Sequence, residues 1–292
     1  MQAKRAVKRD KGRIIIFTVF FVVFVVYSFL CLYPIFFCLT NSMKSVAEYY
    51  APDGGTFALP EQWGFHYYRD IIESFHVGEV TFWEMILNSV YQAFGYQILN
   101  ILASIFVAYP LARYNFPLKK FFYGLLIFKI TIPIIGGGAA GYKLLRALGM
   151  INNPATFALT FFMGFDLNAL IMYGYFKGIS KEYDEAAYID GANRLQTLFR
   201  VVLPQAMPCI IALYVSCVMG RWNDYSTPLI YLPKFPNLAL GIFEFEKSAL
   251  FIRNGTAMFF GAVILSSIVP LGLFAAAQKL MLTNVSVGGL KG

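Results

Sequence analysis

Long apolar runs alternate with short polar or basic segments along the whole chain. The first run, residues 14–39, holds 26 residues without a charge, more than the roughly 20 that carry a helix across a hydrocarbon core of about 30 Å. Further runs at 85–112, 121–135, 155–176, 208–230 and 258–281 complete six predicted transmembrane helices, an all-α polytopic membrane fold. The basic residues before the first run suggest a signal peptide, but a signal h-region spans only about 7–15 residues. No Ala-x-Ala cleavage site follows, so the run is read as a retained helix, with Pro34 placed to kink its far end. Asn153 and Pro154 supply a cap and a helix-starting proline for the fourth span.

Composition sharpens this picture. Of 292 residues, 58% are hydrophobic, 18% aromatic and only 14% charged, against about 25% charged in soluble domains. Disorder, a disulfide scaffold and a nucleic-acid-binding domain are excluded. The +8 charge is no argument for nucleic acid, because six of the 24 basic residues lie within the first 13 and most others flank apolar runs. Cys31 and Cys38 share one apolar run, and Cys209 and Cys217 another, as small packing residues. With only His66 and His76 in addition, no metal site is expected.

With the N-terminus inside, the inner segments hold 15 basic residues and the outer ones seven, while Lys129 and Arg221 fall within spans. That bias places both termini in the cytoplasm and the chain in the cytoplasmic membrane. The expected organisation is a basic N-terminal segment 1–13, the first helix, an extracytoplasmic loop 40–84, a five-helix core 85–281 containing a cytoplasmic loop 177–207, and a cytoplasmic tail 282–292. Residues 142–150 read as a short helix at the outer surface. No internal repeat is visible, which argues against an inverted-repeat secondary transporter.

The inner loop carries the most specific signal. Ser180 can cap a helix whose first turns hold Glu182, Asp184 and Glu185, where the helix dipole favours negative charge. Gly191 can take the left-handed conformation that ends a helix. Asn193 can cap a second helix, which Pro204 is expected to stop. Ala186 and Ala187 leave the first helix thin enough for another protein's groove to close around it.

Glu185-Ala186-Ala187, three residues ending at Asp190, then Gly191, nine residues, and Val201-x-Leu203-Pro204 resemble the signature loop of permease subunits of binding-protein-dependent ABC importers. The family usually has Ile where this chain has Val201. The resemblance extends over nearly the whole chain and points to the carbohydrate-uptake branch, through Leu87-Asn88-Ser89, Ala108-Tyr109, Ala112-Arg113, Phe116-Pro117, Pro133, Leu148-Gly149, Trp222-Asn223-Asp224 and the terminal Gly288-Gly289-Leu290-Lys291-Gly292. The Gly136-Gly137-Gly138 run is not typical of it.

What the resemblance implies is a transport subunit, not an enzyme. No phosphate loop is present in the sequence, and ATP and Mg²⁺ are expected in a partner ATPase, with no cofactor on this chain. Implied partners are a second permease subunit, a different chain; two ATP-binding subunits that receive the loop helices in clefts; an extracytoplasmic solute-binding protein; and the lipid bilayer. The implied mechanism is alternating access. The alternatives are an ABC permease for another solute, such as an amino acid or peptide, and an ATP-independent secondary transporter.

Polar groups within the spans are the other candidates. Lys129 and Asp166 lie at matching depth on consecutive spans, either as a structural ion pair or as substrate contacts. Arg221 and Asp224 share a helix face, with Trp222 and Asn223 between them; the cluster suits a sugar's hydroxyls and ring face, or equally a bend or subunit seam. Asn88, Gln92, Tyr96, Asn100 and Ser104 recur at steps of four along the second span, a stripe suited to a translocation path or to interhelical contact.

Overall fold

A computed structural model describes residues 11–132, 138–252 and 254–283. In chain order the principal helices are α1 (Lys11–Asn41), α2 (Phe82–Arg113), α3 (Lys119–Thr131), α4 (Leu167–Gly178), α5 (Glu182–Ile189), α6 (Arg194–Trp222) and α7 (Gly255–Thr283). Among the described residues four of these, α1, α2, α6 and α7, are long and apolar enough to cross a membrane. The chain divides into two compact units, Met1–Ile71 with Ser248–Ile264 and Ile72–Lys247 with Leu265–Gly292.

In the first unit, α1 runs unbroken through Pro34 and is exposed at every position from Ile14 to Phe36. A helix apolar on all sides and buried on none requires an apolar solvent, which a bilayer supplies. Its polar end is tied down instead. Lys44, 1% exposed, donates its ammonium to Asn41 Oδ1 at 2.9 Å, Gly55 O at 2.7 Å and Thr56 O at 3.2 Å. Three oxygen partners compensate the burial of this charge, although desolvation still pulls its pKa below the usual lysine value. Ser45 and Glu48 close a reciprocal capping box just beyond.

In the second unit, α2 holds a π-helical turn at Tyr91–Gly95 and continues through Pro110. Its second half packs Ile101, Ile105, Ala108 and Tyr109 against Met172 and Phe176 of α4 and Leu198 and Val202 of α6. α3 has only 13 residues and ends at Thr131; the remainder of the third expected span, from Pro133, lies outside the described residues, as do Gly136, Gly137 and the tail 284–292. A short helix follows at Gly138–Ala147.

Three expectations are corrected here. The fourth span is not one helix over 155–176. Asn153 caps the short helix Pro154–Phe157 as expected, a 3₁₀ turn Ala158–Phe161 follows, and helix resumes only at α4. The break is built by Gly164 at φ +66°, where a Cβ would lie 2.5 Å from the Ala103 carbonyl oxygen, and by Asp166, whose carboxylate caps α4 by accepting the Ala169 N–H at 3.0 Å. Nor does Pro204 stop the second helix of the loop. A π-helical turn at Leu198–Val202 precedes it, and α6 continues from Arg194 to Trp222. The wider turn accommodates a ring that would collide with an ordinary α-helical carbonyl. The expected fifth span is correspondingly displaced: α6 ends at Trp222, and 223–225 turn into a separate short helix, Ser226–Tyr231.

Candidate functional site: the connecting loop and the polar cavity

Between α4 and α6 the chain makes the two-helix loop its sequence suggests. Glu182, Asp184 and Glu185 occupy the first turn of α5. Ser180 is not its N-cap; that position is Lys181, and the Ser180 hydroxyl only accepts the Glu182 N–H at 3.3 Å. At the other end Asp190 is the C-cap and Gly191 adopts φ +79°. The Gly191 N–H donates to Tyr188 O at 3.0 Å and the Ala192 N–H to Ala187 O at 2.9 Å, the paired bonds of a Schellman turn. Asn193 then opens α6 through a reciprocal capping box with Gln196, at 2.8 and 2.9 Å.

Glu185 and Ala186 are exposed on α5, whereas Ala187 is buried beneath it. Ile189, which the sequence reading passed over, is 87% exposed, and Tyr183, Tyr188 and Leu195 are exposed beside it. Large apolar side chains presented on a polar loop mark a surface suited to another protein. Leu203 is half-buried and Pro204 exposed, both within α6.

The loop is tied to the end of α2 by an arrangement the sequence did not disclose. Arg113 donates Nη1 to Ile179 O at 2.8 Å and Nη2 to Ser180 O at 3.2 Å, and its Nε lies 3.2 Å from Asp184 Oδ2. The side chains are 1% and 14% exposed. Burial raises the Asp184 pKa, and the Arg113 charge opposes the rise. The residue pair is separated by 71 positions in sequence, so no local spacing could have revealed it.

Deeper in the same unit lies a cavity of about 420 Å³ lined by Gln97, Asn100, Phe161, Asp166, Asn168, Cys217, Gly220, Arg221 and Asp224. Asp166 accepts from Asn100 Nδ2 at 2.6 Å and from Ser104 Oγ at 3.0 Å, and Asn168 Nδ2 bonds Asn100 Oδ1 at 2.9 Å. The Lys129–Asp166 ion pair considered from the sequence is not formed. Lys129 is exposed, and the Asp166 carboxylate is held by neutral donors, because the break before α4 turns it toward α2. Arg221 pairs with Asp224, donates to Thr227 Oγ1 at 2.9 Å and lies over the Phe161 ring at 4.7 Å.

The remaining candidates stand apart from this cavity. Asn88 and Gln92 donate to the carbonyls of Pro236 and Phe235, each at 3.0 Å. Tyr96 is buried, donates to Pro154 O at 3.2 Å and stacks on Phe161. Trp222 is 2% exposed with its indole N–H on Ser266 O at 3.0 Å. Asn223 is exposed and bonds back to Met219 O at 3.0 Å. The stripe at steps of four is thus divided by the π-helical turn at Tyr91–Gly95, whose extra residue turns the helix face. Up to and within the turn, Asn88 and Gln92 contact 235–236; after it, Gln97, Asn100 and Ser104 face the cavity region. Gln97 and Asn168 are the polar cavity residues the sequence reading missed, one hidden by the shifted register and the other by its place just past the break; Phe161 and Gly220, also on the wall, carried no signal of their own.

An apolar, broken-helix core with a two-helix loop docked on its second long helix is the architecture of a multi-pass membrane protein. Residues 100–282 match the family of binding-protein-dependent transport system inner membrane components, and the chain belongs to that family. It is therefore a permease, a multi-pass membrane subunit of an ABC transporter, in which ATP hydrolysis belongs to a separate subunit. It is 26% identical over 268 residues to the diacetylchitobiose uptake system permease protein NgcG of Streptomyces coelicolor, covering 90% of this chain and 85% of that one. It is 28% identical over 266 residues to the melibiose/raffinose/stachyose import permease protein MelC of Bacillus subtilis, covering 89% and 91% respectively. Its fold matches a crystal structure of a bacterial ABC transporter involved in import of the acidic polysaccharide alginate, with a TM-score of 0.75 at 23% identity, over 95% of this chain and 100% of that one.

Proposed function

We propose that this permease carries a sugar or oligosaccharide inward, delivered by an extracytoplasmic solute-binding protein and driven by two ATP-binding subunits, with a second, different permease completing the path. Six membrane crossings are read from the apolar runs, and the basic-residue bias puts 1–13 and 282–292 in the cytoplasm and 40–84 outside. In that arrangement the third crossing begins with α3, and the fourth is made by the broken segment 154–178.

The observation that carries the reading is the loop between α4 and α6. Glu185, Ala186, Ala187, Asp190 and Gly191 form a short helix with a fixed end, exposed apolar side chains beside it, and a firm hold on α2. Such a helix suits a cleft of an ATPase subunit, with Leu203 and Pro204 leading the displacement into α6. The polar cavity of Asn100, Asp224 and their neighbours serves as this subunit's share of the substrate path. Asn88, Gln92, Tyr96 and Trp222 then serve as structural supports around it, and Asn223 lies on an exposed turn. Relatives named for diacetylchitobiose and for melibiose, raffinose and stachyose support a carbohydrate substrate. ATP and Mg²⁺ act in the partner subunits, and this chain needs no cofactor of its own.

The test is proteoliposome uptake by the complex assembled with its ATPase, companion permease and binding protein. A labelled neutral oligosaccharide should accumulate only with ATP inside the nucleotide-binding compartment. Uptake without ATP would refute the importer reading, and uptake of an amino acid or peptide in place of sugar would refute the substrate.

A further inference from the structure

Two polar clasps join α2 to α4, one at each end of their contact, the first centred on a carboxylate and the second on a guanidinium. At one end Asn100 and Ser104 of α2 donate to Asp166, which caps the start of α4. At the other, Arg113 of α2 donates to the carbonyls of Ile179 and Ser180, where α4 ends, and meets Asp184 of α5. The two helices therefore run in the same direction and are fastened at both ends. Between the clasps they are packed by Ile101, Ile105, Ala108, Tyr109, Met172 and Phe176. Asn100 and Arg113 are 13 residues apart on a helix rising about 1.5 Å per residue, so the clasps lie about 20 Å apart.

We propose that α2 and α4 form one transmission strut, and that Arg113 and Asp184 are the positioning residues coupling α5 to it, so that displacement of α5 by an ATPase subunit moves Asn100 and Asp166 at the cavity. This rests on the permease reading above. Three features of the geometry support it. The Arg113 side chain is buried and makes three contacts with the loop, a fork that a rigid guanidinium fixes in orientation as well as distance. The ion pair has no surplus satisfaction: Asp184 Oδ1 and Arg113 Nε have no hydrogen-bond partner among the described residues. A buried pair so incompletely compensated contributes little to stability and is better understood as specifying a position. Finally, the helix that Arg113 ends is the one whose next polar residues inward along the packed face, Ser104 and Asn100, hold the cavity's carboxylate.

The experiment uses the complete complex in proteoliposomes and reads sugar molecules transported per ATP hydrolysed, normalised to assembled complex. Arg113→Lys keeps the charge but loses the fork, and Asp184→Asn keeps the shape but loses the charge. Each should lower the transport-to-hydrolysis ratio about tenfold, within the usual range of energetic coupling between sites, while binding-protein-stimulated ATP hydrolysis persists. Should either variant fail to assemble, Arg113→Met with Asp184→Leu removes both charges and so leaves no buried charge unpaired, although the Ile179 and Ser180 carbonyls lose their donor; it should assemble and be uncoupled to the same degree. A wild-type ratio in the assembled single variants, or in the double variant, overturns the proposal. Absence of ATP-dependent uptake by the wild-type complex would instead overturn the reading it rests on, so the two failures are separable.

Discussion

Gly191 offers the cleanest perturbation of the loop, because its environment separates backbone strain from steric conflict. Its φ of +79° belongs to the left-handed region, yet a Cβ built there meets nothing within 4 Å. Gly191→Val therefore introduces no clash, and its whole effect falls on the turn. Holding a residue with a Cβ in that region costs about 1–2 kcal/mol, with a β-branched residue at the upper end. Abandoning the turn gives up the Gly191 and Ala192 backbone bonds, at about 0.5–1.5 kcal/mol each. The two routes are nearly balanced, so the substituted loop should divide between the native turn and others that re-aim α5. A difference of about 0–1 kcal/mol leaves between about a half and a sixth of the loops in the native turn. Transport per ATP in proteoliposomes should fall about two- to sixfold while the amount of folded complex changes little, since α5 is short and exposed on all but one face. Gly191→Asn is the internal control: asparagine tolerates the left-handed conformation and should retain most of the coupling. Wild-type transport by the valine variant, or equal losses with valine and asparagine, would refute the reasoning.

Gly164→Ala should behave oppositely, because there a Cβ at φ +66° would lie 2.5 Å from Ala103 O and 2.9 Å from Val107 Cγ2; strain and overpacking together of about 2–5 kcal/mol should appear as lost monodisperse protein and a lowered melting temperature in detergent. Gly220→Cys, in a background without the four native cysteines, puts a thiol on the cavity wall where a Cβ meets nothing within 4 Å, and should react with a water-soluble maleimide, whereas Phe24→Cys on the exposed apolar face of α1 should not. The Asp184 carboxyl, faced by Arg113, Lys181 and Glu185 and near Tyr109 and Tyr188, has its pKa raised chiefly by burial. The folded state thus binds this proton more tightly than the unfolded chain, so its contribution to stability is fullest at acid pH and falls as pH rises through the raised value, while the ion pair exists only above it. Coupling should accordingly decline on acidification at a higher pH than an ordinary aspartate near 4 would give, and Asp184→Asn should remove that limb of the profile.

What was legible in the sequence was whatever depends on neighbours a few residues apart. The apolar run of α1, the acids opening α5, the Gly191 turn and the Asn153 and Asn193 caps are all local, and each takes the expected form. The errors arose where tertiary contact overrides local preference. Residues 155–176 are apolar enough to read as one helix, but Asp166 finds better partners in Ala169, Asn100 and Ser104 by interrupting it. Pro204 looks like a stop, but a π-helical turn ahead of it lets α6 continue. Lys129 and Asp166 match in depth, yet matching depth fixes only one coordinate, and azimuth around each helix decides whether two charges meet. Arg113 and Asp184 were both in view as isolated residues, one near the end of a span and the other in the loop, and only the folded chain brings them together.

The cavity shows the same division between groups already committed and groups still free to act. Asp166 is fully engaged, one oxygen by Ser104 and the Ala169 N–H and the other by Asn100. Its role is to set the wall, since a carboxylate so occupied has little left for a ligand. Arg221 commits one nitrogen, Nη1, to Asp224 and Thr227, and a guanidinium carries five N–H donors in all. Asn168 uses its amide nitrogen on Asn100 and Cys217, leaving its carbonyl oxygen as an acceptor. Gln97, buried at 5% exposure on the same wall, brings an amide that both donates and accepts. The donors and acceptors that remain available, with two carboxylates against one guanidinium in the lining, suit a ligand whose own groups both donate and accept and which carries no negative charge. Hydroxyls meet that requirement and carboxylates do not. On the proposed substrate path this wall should favour a neutral saccharide over an acidic one, which competition between the two for uptake into proteoliposomes checks; equal competition by the acidic sugar would refute it.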